Sequence, residues 1–356
     1  MISTNTAVAS LQFDPANLEV GDKKDIRDGL SAIASDGKHL WLACDEGCRL
    51  ERLTREGSSF VFGSHRDFAL SDLIHLPAPR EAGKPEAEAD VEGMDIDDGW
   101  LWLIGSHSVK RKNPKDDDTP DEIAAKLQKT SRDGNRHLLA RIPLDDGVVK
   151  RRDGSRRAAG IATSVESSAL LDAIKDEGDK HLLPFLSLPG KDNGLDIEGL
   201  AVRGTRAFVG LRGPVLRGWS GILELRLEAN DDTLELQPVE GGALYRKHFQ
   251  NLDNLGIRDL VFVEDDLLIL AGPTQSHDGP HEIWRWKNAG KKGGSGNRSF
   301  ERVLVLPQRD KVDRAEGITA IDQSGSSVSL LVVYDTPDKD RKGKKDGTVT
   351  ADIVRL

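Results

Sequence analysis

The chain has 356 residues, enough for a sizeable core, and carries a formal net charge of −10 with only 5% aromatic residues. That balance excludes a nucleic-acid surface, which needs a basic face, and no run approaches the ~18 consecutive apolar residues of a membrane span. Met1 to Val20 lacks the basic start and apolar centre of a secretory signal, so the expected compartment is the cytoplasm.

In chain order, the first apolar run is Ala7-Val8-Ala9-Ser10-Leu11-Gln12-Phe13. Paired runs follow, each reading as a hairpin. They are Leu30-Ser31-Ala32-Ile33 with Leu40-Trp41-Leu42-Ala43, and Asp90-Val91-Glu92-Gly93-Met94 with Trp100-Leu101-Trp102-Leu103-Ile104. Next come Asp196-Ile197-Glu198-Gly199-Leu200 with Ala207-Phe208-Val209-Gly210, and Ile257-Arg258-Asp259-Leu260 with Leu267-Leu268-Ile269-Leu270. The last is Arg314-Ala315-Glu316-Gly317-Ile318 with Val328-Ser329-Leu330-Leu331. Aligned, they place Ser31, Glu92, Glu198, Arg258 and Glu316 at one equivalent position, with steps of about 60 residues except between Glu92 and Glu198, where the step is nearly doubled.

A repeat with about four strand-like runs per unit predicts an all-β chain folded as a β-propeller. Blades are expected near 25–75, 90–150, 196–240, 256–307 and 314–356, the last completed by 7–13, which closes the ring. The blade count is five, or six if the long interval conceals another. Within that interval Thr119-Pro120-Asp121-Glu122 has a cap, a proline at the first helical position and acids in the first turn, predicting a helix near 119–130. Leu170, Leu171 and Ile174 on one face predict another near 165–178. The polar stretches 291–297 and 339–347 read as solvated loop tips, and the first lacks P-loop spacing. Asp95-Ile96-Asp97-Asp98-Gly99 resembles half a calcium loop but sits at a hairpin turn, where Asp-Gly is favoured. Cys44 and Cys48 lack the second pair of a zinc site and read as idle thiols.

In a propeller each first strand lines the channel and the second runs back beside it, so first-strand starts and second-strand exits share a face. On that face would stand Glu92, Glu198, Glu316, Arg258 and Asp259, with Ser106, His107, Arg212, Thr274 and His277 from the exits. Glu92, Glu198 and Glu316 around a narrow channel would repel one another unless protonated, paired with Arg258, or gathered on calcium or magnesium. The competing account is structural: carboxylates accepting backbone N–H groups, and glycines allowing close packing at the axis. His107 would suit proton transfer with Glu198, and Arg212 with Arg258 would hold a carboxylate or phosphate. Either histidine could instead shape the loops by bonding backbone. Trp219 could border the funnel, whereas Trp41, Trp100 and Trp102 read as blade packing.

The ordered set Asn193-Gly194-Leu195-Asp196-Ile197-Glu198-Gly199 with Gly210-Leu211-Arg212-Gly213-Pro214, Asp90-Val91-Glu92-Gly93 with Gly105-Ser106-His107-Ser108, and Ile257-Arg258-Asp259-Leu260 with Ala271-Gly272-Pro273-Thr274 resembles a bacterial family of uncharacterised proteins filed as a domain of unknown function. The resemblance spans nearly the whole chain and implies one propeller domain. Through the Asp-x-Glu-Gly openings the chain is more distantly similar to phytase-like esterase propellers, which implies an ester or phosphoester hydrolase, metal-dependent or not. Ser31 and Arg258 depart from an all-glutamate ring. The expected function is hydrolysis of a small anionic ester or phosphoester, with non-catalytic binding of a ligand or protein partner as the alternative.

Overall fold

Short apolar runs with Asp-Gly and Gly-Thr turns between them pair with their neighbours in sequence, so most ladders are antiparallel hairpins. The computed structural model describes residues 7–356 except 22–23, 79–82, 85, 276, 292–298, 308, 310, 325–326 and 345. Most of the loop expected at 291–297 therefore lies outside the described residues.

Strand β1 (Ala7–Gln12) stands first in the chain but pairs last. The first antiparallel group holds β2 (Leu30–Ser35), β3 (His39–Cys44), β4 (Arg49–Arg55) and β5 (Val61–Ala69). The second holds β6 (Val91–Asp97), β7 (Trp100–Gly105), β8 (Leu139–Asp145) and β9 (Ala159–Ile161). In the third, β10 (Asp196–Arg203) and β11 (Arg206–Leu216) lead to β12 (Trp219–Asn230), whose outer edge is shared by β13 (Thr233–Gln237) and β14 (Tyr245–Asn251). The fourth holds β15 (Gly256–Val263), β16 (Asp266–Gly272), β17 (Glu282–Trp286) and β18 (Phe300–Val305). The last is β19 (Arg314–Ser324), β20 (Ser327–Asp335), β21 (Thr348–Arg355) and β1.

The first strands neighbour one another in a ring: β2 lies beside β6, β6 beside β10, β10 beside β15, β15 beside β19, and β19 beside β2. The chain is thus all-β and propeller-like, with few helices. As expected, the N-terminal run completes the last group: Ala7 pairs with Ile353 through to Gln12 with Thr348, and Ala9, Leu11 and Phe13 are buried. That pairing covers an otherwise open edge. Apolar clusters fill the spaces between successive sheets, one joining Trp41 and Leu50 to Leu101 and Ile142. No helix among the described residues is long and apolar enough to cross a membrane.

Of the helices, α1 (Leu70–Leu73) is one turn. In α2 (Pro120–Leu127) Thr119 and Glu122 form a reciprocal capping box, while α3 (Ala169–Asp176) buries Leu170, Leu171, Ala173 and Ile174. Asp98 and Gly99 have φ of +46° and +74°, the left-handed pair of a tight hairpin turn, in place of any calcium loop. Trp41 and Trp102 are buried packing residues, and Trp219, at the start of β12, is 38% exposed. Cys44 and Cys48 are free, and burial pushes the Cys48 thiol up to about 12 and Cys44 higher still, so neither is an activated thiolate.

Candidate functional site

Each first strand carries a bulge. The ladder with the second strand shifts register between Leu30 and Ala32, Val91 and Gly93, Ile197 and Leu200, Ile257 and Asp259, and Ala315 and Gly317. The residues left out are Ser31, Glu92, Glu198 with Gly199, Arg258 and Glu316, the position that recurs through the sequence. A bulged residue is released from the ladder and re-aimed. After the three glutamates glycine follows, and at Gly93 and Gly199 adjacent first strands touch. A Cβ on Gly93 would lie 2.7 Å from the Leu200 nitrogen, and one on Gly199, at φ +97°, 2.8 Å from Asp259 Cα.

Acids and guanidinium groups alternate across this centre. Arg212 ion-pairs with Asp196 and reaches Glu198 Oε1 at 2.7 Å, while Arg258 reaches Glu198 Oε2 at 3.0 Å and pairs with Glu316. Opposite them Arg136 pairs with Glu88 and with Asp90 at 2.6 Å, and donates to Ser108 Oγ at 3.0 Å. Burial lifts Glu198 to about 6 although both arginines oppose the shift. Glu92 makes no ion pair among the described residues and is half-buried. Burial, then repulsion from Asp90, Glu198 and Asp45, holds it well above the ordinary carboxyl range and favours its protonated form.

Of the three glutamates, Glu198 and Glu316 meet guanidinium groups, and Glu92 does not. Glu198 and Glu316 are already neutralised, and among the described residues no group of three or more His, Cys, Asp or Glu is placed to hold a metal. The donor set does not fit calcium or magnesium: a cation here would have to displace Arg212 and Arg258 from their carboxylates.

His107 bonds loop backbone, the second of the two roles open to it. It is 1% exposed at φ +54°, its Nδ1 lies 3.0 Å from the Gly105 carbonyl, and its ring stands 5.9 Å from that of His137. Burial lowers its pKa to about 3, leaving a neutral group walled off from the centre. The 3-10 turn Gly134–His137 runs alongside: His107 N–H donates to the Arg136 carbonyl. Ser106 Oγ lies 3.0 Å from Ser108 Oγ and 3.3 Å from Arg136, so it positions an arginine. Asp259 is a structural tie: its oxygens accept the N–H groups of Leu260 and of Ile318 on the next first strand, each at 2.8 Å. Asp95 ties β6 to β10 in the same way, through Val202 N–H at 2.6 Å.

Beside the axis, mainly between the fourth and last groups, lies a cleft of about 620 Å³, its open mouth included. Arg212, Arg258, Thr274 and His277, which the sequence offered as candidates, line it together with Glu316. Lys191, His281, Arg314 and Asp335 line it too. Arg314 had a signal: it stands two residues before Glu316, where the other copies have Asp90 and Asp196. Arg136 had none, since it lies in a turn outside the repeat. Neither Arg314 nor Lys191 forms an ion pair among the described residues, and the Arg258 Nε is buried without a partner. His281 is held neutral, its pKa lowered to about 3 by burial and by the Arg258 and Arg314 charges.

Fold and site together define a propeller-like all-β protein with a charged axial centre opening into a basic-sided cleft. The chain belongs to the family described as "Protein of unknown function (DUF3616)", whose model matches residues 29–352. No curated protein matches it. Among solved structures it is similar to the PQQ-bound aldose sugar dehydrogenase of Streptomyces coelicolor, at 11% identity over 99% of each chain with a TM-score of 0.39. It is also similar to virginiamycin B lyase from Staphylococcus aureus, at 11% identity over 98% of this chain and 99% of that one, TM-score 0.34. The Malassezia sympodialis allergen Mala s 1 aligns at 10% identity over 93% and 94%, TM-score 0.41. Overlays this loose transfer neither ligand nor reaction.

Proposed function

We propose that this protein is a single-domain propeller of five blades whose axial cleft binds a small anionic molecule, a carboxylate or a phosphate. The observation that carries the binding is that Lys191 and Arg314 line one cleft and have no acidic partner among the described residues. Guanidinium groups suit such ligands because their planar N–H forks match two anion oxygens. The neutral His281 imidazole and the Thr274 hydroxyl would supply uncharged hydrogen bonds beside them. The test is a melting-temperature screen and calorimetric titration with phosphate, phosphomonoesters and mono- and dicarboxylates. Arg314→Gln and Lys191→Gln should weaken the response. No shift with any anion would sink the reading and leave this face as a platform for a protein partner.

A second reading, hydrolysis of an anionic ester or phosphoester, draws on Glu92 and Glu198. One carboxyl group favouring its proton beside another titrating at about 6 is a pairing suited to general acid and base roles. His107 has no part in it. With a panel of chromogenic esters and phosphoesters, Glu92→Gln should abolish turnover while anion binding persists. Equal turnover by that variant would remove Glu92 from the chemistry.

A further inference from the structure

Arg314 and Asp335 are cross-strand partners at the open end of the β19–β20 ladder, and both line the cleft. Partners in register project from the same face of a sheet, their Cβ atoms about 5 Å apart. Here the two opposite charges form no ion pair with each other, and neither pairs with another charge among the described residues. Among the described residues the Asp335 carboxylate accepts one hydrogen bond, from the Thr336 hydroxyl at 3.1 Å. A second acid stands behind it. Gly29 bridges to Asp335 through the backbone, and a Cβ on Gly29 would lie 2.6 Å from Asp45 Oδ1. Repulsion from Asp90 and Asp335 adds to burial in lifting Asp45 to about 7. At this end of the ladder the cleft thus presents a cation, Arg314, and an acid, Asp335, side by side, neither with an ion pair among the described residues.

We propose that the ligand of this cleft is a zwitterion of the α-amino-acid type, its carboxylate on Arg314 and Arg258 and its ammonium on Asp335. A simple anion would leave Asp335 facing it without compensation, whereas an ammonium adjacent to the carboxylate satisfies both members of the cross-strand pair at once. This rests on the anion-binding reading above and narrows it to one class.

The test titrates the full-length protein with free amino acids, with their N-acetyl derivatives and with the matching des-amino acids, alongside inorganic phosphate. Amino acids should bind about tenfold more tightly than either relative, the contribution of one charge-assisted hydrogen bond. Asp335→Asn should erase that preference while keeping binding of the des-amino acids, and Arg314→Gln should weaken both. If N-acetyl and des-amino compounds bind as well as the parent amino acids, the zwitterion proposal is overturned and anion binding stands. If no carboxylate or phosphate binds at all, the anion reading itself has failed and takes the proposal with it. Circular dichroism and melting of both variants separate lost recognition from lost folding.

Discussion

Glu198 accepts from two arginines, so its neighbours were chosen as much by charge balance as by shape. The same logic makes the site pH-sensitive. Asp45 has its pKa raised from 3.8 to about 7. For an acid with a raised folded pKa, the folded state binds the extra proton, so the stabilisation is fully present below 3.8 and is lost as pH rises through about 7. Asp45→Asn should therefore gain on the wild type between pH 4 and 8, read as urea midpoints across that range; a constant gap would show that Asp45 titrates normally. Asp259→Ala should cost about 2–3 kcal/mol in urea unfolding by stranding the N–H groups of Leu260 and Ile318. It should leave ligand affinity unchanged; a specific loss of affinity would return Asp259 to the site. At this scale the recurring position was legible, because Glu92, Glu198, Arg258 and Glu316 stand alike in their apolar runs. Which of its two roles His107 would take was not legible, because nothing in Gly105-Ser106-His107-Ser108 announces that the turn 134–137 packs alongside.

Among the elements, hairpins and helix caps were legible since their signals are local: Asp98-Gly99 for the turn, Thr119 and Glu122 for the capping box. The bulges were not, since an extra residue in one strand shows only against its partner's register. Yet the bulge is what unites Ser31, Glu92, Glu198, Arg258 and Glu316. Gly199 is the most constrained residue there, with φ +97° and the next first strand 2.8 Å from where its Cβ would be. Gly199→Ala should destabilise the fold by at least ~2 kcal/mol through combined strain and overpacking. A wild-type denaturation midpoint for that variant would contradict the close approach of β10 to β15.

For the whole molecule, ring closure depends on β1, which pairs through six residues with β21 and contacts β5 in parallel. Deleting residues 1–13 would expose both edges and remove the buried Ala9, Leu11 and Phe13. The truncated chain should melt well below the full one or aggregate on purification. Retention of the full melting temperature would mean that the last group is complete without β1.

The sequence by itself determined the strand periodicity, the closing N-terminal run, the two longer helices and the position whose side chain recurs at the axis, because each is written in local apolar patterning. Which charges meet at that axis was decided only by the tertiary structure. Arg258 bridges Glu198 and Glu316 from separate groups, Arg136 arrives from a turn outside the repeat, and Arg314 and Asp335 face one cleft with no ion pair among the described residues. The reason is physical: strand formation follows from short-range alternation, whereas ion pairing falls off within a few ångströms and depends on how the ring brings distant segments together.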